Sequence, residues 1–249
     1  MRRRADRRVC AGCLLFVLAC ASVTGCAGGG VFRREYEYEE ELYLSLDGSA
    51  TLNVNASVAS LVALRGAGFD PDPLARVDRP ALRAFFGAPH ARVSVSLTRR
   101  DRRRFVHASV EVDDVRELSR LAPFSWSSYR FGRRGEVIDF QQTVGPAAHG
   151  PQSGLPWTGE EIVAFRMHLP SQIVFHNAPS GRIERGNILE WVQPLADRLG
   201  GRPVDIRVQL EPTSILTRTL LLFGSAMAAA IATLAGAIWW IRRRGRSEL

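Results

Sequence analysis

Five histidines, His90, His107, His149, His168 and His176, are the first residues to weigh for chemistry, and they are scattered along the chain. His168 and His176 stand eight residues apart with no clear carboxylate partner, a pattern expected of structural histidines rather than of a metal centre. The chain contains no Gly-x-Ser-x-Gly, no His-Glu-x-x-His and no phosphate-cradling Gly-x-x-x-x-Gly-Lys-Ser/Thr. Glu160-Glu161 and Asp113-Asp114 read as strand-start and helix-cap residues rather than as an acid/base couple. No catalytic residue, metal or cofactor is therefore expected, and a non-enzymatic role is. The sharpest charged feature is Arg99, Arg100, Arg102, Arg103 and Arg104 around Asp101, a net +4. On a tip facing a bilayer, each Arg would contribute about 1 kcal/mol of attraction to anionic headgroups. In a chain without any lysine, a solvated loop is the competing reading.

Net charge is concentrated at the ends. Of the net +8, residues 1–8 hold +4 and residues 242–249 hold +3, which leaves the body almost neutral and excludes a nucleic-acid-binding surface. All four cysteines, Cys10, Cys13, Cys20 and Cys26, lie in the first 26 residues, so nothing downstream can hold a disulfide or a catalytic thiol. Cys10 and Cys13 have redox spacing, but they sit in an apolar run that reads as a targeting segment.

That run follows a basic start, and residues 1–25 read as a secretory signal. Val23-Thr24-Gly25-Cys26 resembles the lipobox of bacterial lipoproteins, which implies diacylglycerol on Cys26 and cleavage before it. Residues 26–33, with three consecutive glycines, read as a flexible tether. Near the other end, the 23 residues 219–241 carry no charge and would span about 34 Å as a helix, within a membrane segment placed at 215–241. Trp239 and Trp240 mark an interface, and Arg242, Arg243 and Arg244 at once follow. By the positive-inside rule residues 242–249 form a cytoplasmic tail, with the intervening domain outside the cytoplasmic membrane. Gly224, Ala228, Ala232 and Gly236 recur every four residues, a face on which a homodimer or a membrane-protein partner would pack.

Residues 34–212 read as one extracytoplasmic α+β domain, mainly antiparallel β with a few short helices. The first strand, over 35–46, alternates Tyr36, Tyr38, Leu42, Leu44 and Leu46 against Glu35, Glu37, Glu39 and Glu41, so the glutamates need water or partners. The next strand carries Ala50, Leu52, Val54 and Ala56. An odd loop over 47–49 pairs Leu44 with Leu52 and keeps both apolar sets on one face. Val93, Val95 and Leu97 pair with Val106, Ala108 and Val110 through an even loop such as 100–103. Asp78 caps a short helix from about Pro80 to Gly87, and Asp113 or Asp114 caps one that runs to Leu121 and ends at Pro123. Further strands are expected at 129–131, 137–143, 162–169, 173–175, 187–193 and 204–210.

The run from Phe165 through Leu169, Pro170, His176 and Asn177 to Gly186, Asn187 and Trp191 resembles the mycobacterial LppM-type lipoprotein domain family. So does the first hairpin, Leu44 to Val54, and the plan of lipobox, domain, single span and basic tail. The likeness covers about half of the domain, while residues 69–159 match only in kind. It implies binding or handling of envelope lipids or glycolipids, with membrane lipids as partners; an adaptor subunit of an envelope membrane complex is the alternative.

Overall fold

The computed structural model describes residues 36–245, apart from 88, 90, 101 and 150–156. In chain order the elements are β1 (Tyr36–Leu44), β2 (Ala50–Ser57), α1 (Val58–Arg65), α2 (Arg79–Phe86), β3 (Arg92–Arg100), β4 (Arg103–Val112), 3-10 turns at Val115–Arg120 and Ala122–Phe124, β5 (Ser127–Arg134), β6 (Val137–Val144), β7 (Ile162–His168), β8 (Ser171–His176), β9 (Ile188–Pro194), α3 (Leu195–Leu199), β10 (Val204–Ser214) and α4 (Ile215–Gly245). Two sheets result, ordered β3-β4-β2-β1-β7-β9 and β5-β6-β10-β8. The α+β class read from the sequence is the class observed. Among the described residues only β1 and β7 pair in parallel, which the long connection through β2 to β6 permits.

Alternation sorts the residues of the first sheet between two faces. Leu42, Leu52, Val54, Val106, Val110, Phe165 and Met167 are buried on one of them, in a single core with Phe140, Ile206, Val208 and Leu210 of the second sheet. The first hairpin has the odd parity required to keep these faces together, but its register differs from the sequence reading. Leu42 rather than Leu44 faces Leu52, and Leu44 faces Ala50. Turn chemistry is the reason. The Asp47 carboxylate accepts from Ser49 N at 3.0 Å and Ser49 Oγ at 2.7 Å, and Gly48 takes a φ of +94°. The loop therefore closes between Ser45 and Ser49, one residue earlier. In the second hairpin Leu97 faces Val106 and Arg99 faces Arg104, in the register that the even loop predicts.

Helix α2 begins and ends where Pro80 and Gly87 predict, although Asp78 makes no side-chain cap bond. Asp114 does cap, accepting from Arg116 N, but it starts a 3-10 turn rather than a longer helix. Pro123 lies inside the second 3-10 turn instead of ending the first. Helix α1 has no counterpart in the sequence reading. Val58, Ala59, Leu61, Ala63 and Leu64 are all buried, and a helix apolar on nearly every side shows no 3.6-residue period. Its ends are nonetheless conventional, with Ser57 Oγ accepting from Ser60 N at 3.0 Å and Gly66 left-handed at φ +64°.

Helix α4 follows β10 without a linker, and Ser214 Oγ accepts from Thr217 N at 3.0 Å. Its segment Ile215–Trp240, 26 residues whose most apolar 18-residue stretch has a mean hydropathy of 2.0, is long and apolar enough to cross a membrane, and none of that stretch is buried against the domain. Gly48 provides a test of the first hairpin. A Cβ there would meet the Phe131 ring at 3.0 Å, whereas one on Gly135, also left-handed, meets nothing within 4 Å. In chemical denaturation of the full chain in detergent, Gly48→Ala is expected to cost about 2 kcal/mol and Gly135→Ala about 1 kcal/mol.

Candidate functional site

Three polar constellations lie on or between the sheets, and the first is internal. Glu40 points from the apolar face of β1 and is only 2% exposed. Arg65, the last residue of α1, reaches its Oε1 at 2.5 Å and the Tyr38 hydroxyl through Nε at 2.9 Å, while Tyr38 donates to the same Glu40 oxygen at 2.6 Å. Gln142 from the second sheet completes the shell at 3.5 Å. The Arg65 guanidinium stacks on Trp126, and the fully buried Arg198 lies over the same ring while donating to the carbonyls of Gly145 and Arg202. Burial, reinforced by Arg65, lowers the Arg198 pKa to about 10. Burial also pushes the Tyr38 hydroxyl well above its usual range. Closed off in this way, the cluster is a structural centre.

The second constellation covers the opposite face of the first sheet, where the glutamates of β1 find their partners. Glu37 pairs with Arg103 at 2.8 Å, Glu39 with Arg166 at 3.6 Å and Glu41 with His168 at 2.6 Å. Arg103 also reaches Glu161 at 3.3 Å. Burial raises the Glu161 pKa, but the N–H groups of Thr158 and Gly159, together with Arg103, outweigh it and hold the carboxyl below its ordinary value.

The third is a cleft of about 340 Å³ at one end of this face. Five adjacent strands each place one residue of a single row along it. Arg92 faces Glu111, Glu111 faces Thr51, Thr51 faces Tyr43 and Tyr43 faces His168. The Tyr43 and His168 rings stack at 4.0 Å and 12°, and Tyr43 remains 40% exposed. Arg92 bonds Glu111 at 2.8 Å with its side chain 76% exposed. Pro170 lines the same cleft, and its carbonyl accepts from the backbone N of Ile215, the first residue of α4, at 3.0 Å. An aromatic platform flanked by carboxylate, guanidinium and hydroxyl groups can stack on and hydrogen-bond to a polyhydroxylated or phosphorylated group.

Of the residues singled out in the sequence, the structure brings His168 to this cleft and leaves His176 elsewhere, its Nδ1 accepting from Ala178 N. Among the described residues no group of histidine, cysteine and acidic side chains could hold a metal. The arginine hairpin tip lies at the other end of the first sheet, since Arg100 faces Arg103 beside Tyr36 and Phe105, while Leu44, Val112 and His168 mark the end near α4. Several of its guanidiniums turn back onto protein: Arg103 onto Glu37 and Glu161, Arg104 onto the carbonyls of Asp72 and Pro73, and Arg100 over Phe105. Cys26 lies outside the described residues. Gly224, Ala228, Ala232 and Gly236 are exposed along α4; Trp239 and Trp240 are exposed near its end, with Arg243 over the Trp239 ring at 5.2 Å, and Arg242 and Arg244 belong to its last turn.

Sequence reasoning missed Glu40, Arg65 and Arg198. The detectable signal was Glu40 itself, a charge in phase with the apolar residues Tyr38 and Leu42. The row through Tyr43 depends on long-range strand order and had no local signal.

No protein-family model matches the chain, and no curated protein matches it. Among solved structures, the folded domain of the Mycobacterium tuberculosis LppM protein, determined by NMR, is similar at 16% identity and a TM-score of 0.40, over 76% of this chain and 97% of that one. This is a distant likeness of fold, and the reading of the cleft rests on the chain's own geometry.

Two measurements test the ion pairs. Glu40→Gln leaves Arg65 buried without its counter-charge and is expected to cost about 3–5 kcal/mol in denaturation. Arg92→Gln, at an exposed pair, is expected to cost about 0–1 kcal/mol. Because folding favours the Glu161 carboxylate, the folded state binds fewer protons, and the resulting stability is present above the ordinary value of 4.5 and lost as pH falls through the lower folded value. Thermal melts of the full chain against pH are expected to show a weaker acid decline for Glu161→Gln.

Proposed function

We propose that the protein is a membrane-anchored extracytoplasmic binding domain whose cleft takes the polar headgroup of an envelope lipid or glycolipid. One observation carries this reading: Pro170 both lines the cleft and hydrogen-bonds the first residue of α4. With α4 crossing the bilayer, a ligand in the cleft lies at the headgroup layer rather than a domain's length away from it. Trp239 and Trp240, followed by three arginines, support an orientation with the cleft outside the cytoplasmic membrane. The lipobox ending at Cys26 supports a second attachment to the same surface. The exposed Tyr43 ring and the Arg92–Glu111 pair supply stacking and hydrogen bonding suited to a sugar or phosphate group.

The experiment is native mass spectrometry, with lipid extraction, on the full chain purified from its membrane. A stoichiometric lipid is expected. Tyr43→Ala is expected to reduce its recovery about tenfold, equivalent to about 1.4 kcal/mol, with the melting temperature nearly unchanged. Arg102→Gln, at the far end of the sheet, is expected to leave it unaltered. An empty cleft with a protein captured through α4 would replace this reading with that of an adaptor subunit.

A further inference from the structure

The end of the first sheet nearest α4 carries a second feature, separate from the cleft. Strand β9 starts at Ile188, opposite His168, the last residue of β7. Glu184 and Ile188 exchange backbone hydrogen bonds at 2.9 and 3.4 Å, so residues 185–187 form a tight turn beyond the end of the sheet. Gly186 at φ +92° and Asn187 at φ +62° provide its left-handed corner. The Asn187 amide then fastens the turn by donating to the carbonyls of Leu169, at 3.0 Å, and Ser171. Ser171 pairs with Ser214, the residue immediately before α4. The turn is thus held rigidly beside the point where α4 leaves the domain.

Its side chains have a consistent chemistry. Arg182 and Arg185 are exposed and have no ion pair among the described residues, and Ile183 between them is 48% exposed. The turn's own carboxylate, Glu184, is drawn back to Arg166 at 3.3 Å, which leaves two outward cations flanking an outward apolar side chain. Across the same end of the sheet, the first hairpin loop carries Asp47 and the end of β4 is followed by Asp113. The β9 corner is therefore the basic and apolar side of the end that faces α4.

We propose that this turn, through Arg182, Ile183 and Arg185, docks the domain on the anionic phospholipid surface of the bilayer that α4 crosses. Guanidinium forks bind lipid phosphates, and the isoleucine enters the headgroup layer between them. Continuity of the chain brings the partner to the site, since no linker separates β10 from α4. The sequence places the strongest basic run at residues 99–104, yet the strand registers carry that run to the opposite end of the sheet. Docking on the turn would lean the β8–β9 side of the domain toward the membrane and hold the cleft at a fixed height above it.

The inference rests on α4 spanning the membrane, and one experiment separates the two. The full chain is assembled into nanodiscs of phosphatidylcholine alone or with added phosphatidylglycerol, and hydrogen exchange is followed by mass spectrometry. Exchange of residues 182–187 is expected to slow by about 25-fold in the anionic discs, since two Arg each contribute about fivefold in affinity. The double variant Arg182→Gln/Arg185→Gln is expected to restore the rate seen in phosphatidylcholine, while residues 99–104 exchange alike in both discs. Equal rates at 182–187 in the two lipids, or protection that survives in the double variant, would overturn the docking while leaving the span intact. A chain that fails to co-elute with the discs would overturn both.

Discussion

The buried pairing of Glu40 with Arg65 is the constraint around which the rest of the domain is arranged. A carboxylate in the middle of β1, with strands on both sides and a second sheet over it, can stay ionised only with a cation and hydrogen-bond donors close at hand. That requirement sets where α1 must lie, because Arg65 is its last residue and must reach across Tyr38. It also sets the neighbours, since Trp126 flattens against the guanidinium and Gln142 contributes from the other sheet. Such a pair adds little net stability compared with apolar packing, but it tolerates few alternative arrangements. Arg198, with its charge buried beside Arg65 and bonded only to carbonyls, strengthens the same demand for one geometry.

Polarity on the far face of the first sheet serves a different purpose. Glu37, Glu39 and Glu41 alternate outward and are each held by a side chain from another strand, Arg103, Arg166 and His168, so the sheet presents a stiffened polar surface rather than a mobile one. The Tyr43 row belongs to this face. Its aromatic stack and its ion pair are positioned by strand order, which gives the cleft a fixed shape, and the backbone bond between Pro170 and Ile215 ties that shape to the base of α4.

Direct continuity of β10 with α4 has a consequence for reach. Strand β1, nine residues long, extends about 30 Å from the arginine hairpin end to the α4 end. Whatever lies at the α4 end is within contact distance of a bilayer crossed by that helix. Groups at the other end reach it only if the domain lies flat.

Much of the architecture was legible in the sequence, because alternation and long apolar runs are local properties. The faces of β1, β2, β3 and β4, the register of the second hairpin, the strands from β5 to β10 and the apolar helix at the end all follow from patterns a few residues long. Helix α1 was not legible, because an element apolar on nearly every side leaves no period to read. The register of the first hairpin was only half legible: parity kept the leucines on one face, but the Asp47–Ser49 bonds moved the turn by one residue. The sites were the least legible. The row from Arg92 to His168 and the placing of the arginine hairpin away from α4 both depend on strand order, above all on β7 returning to pair in parallel with β1. By itself the sequence determined which apolar residues of the strands face inward and which segment is apolar enough to cross a membrane; only the tertiary structure decided which polar residues meet, because those meetings join different elements, from 25 residues apart for Arg65 and Glu40 to 127 for His168 and Glu41.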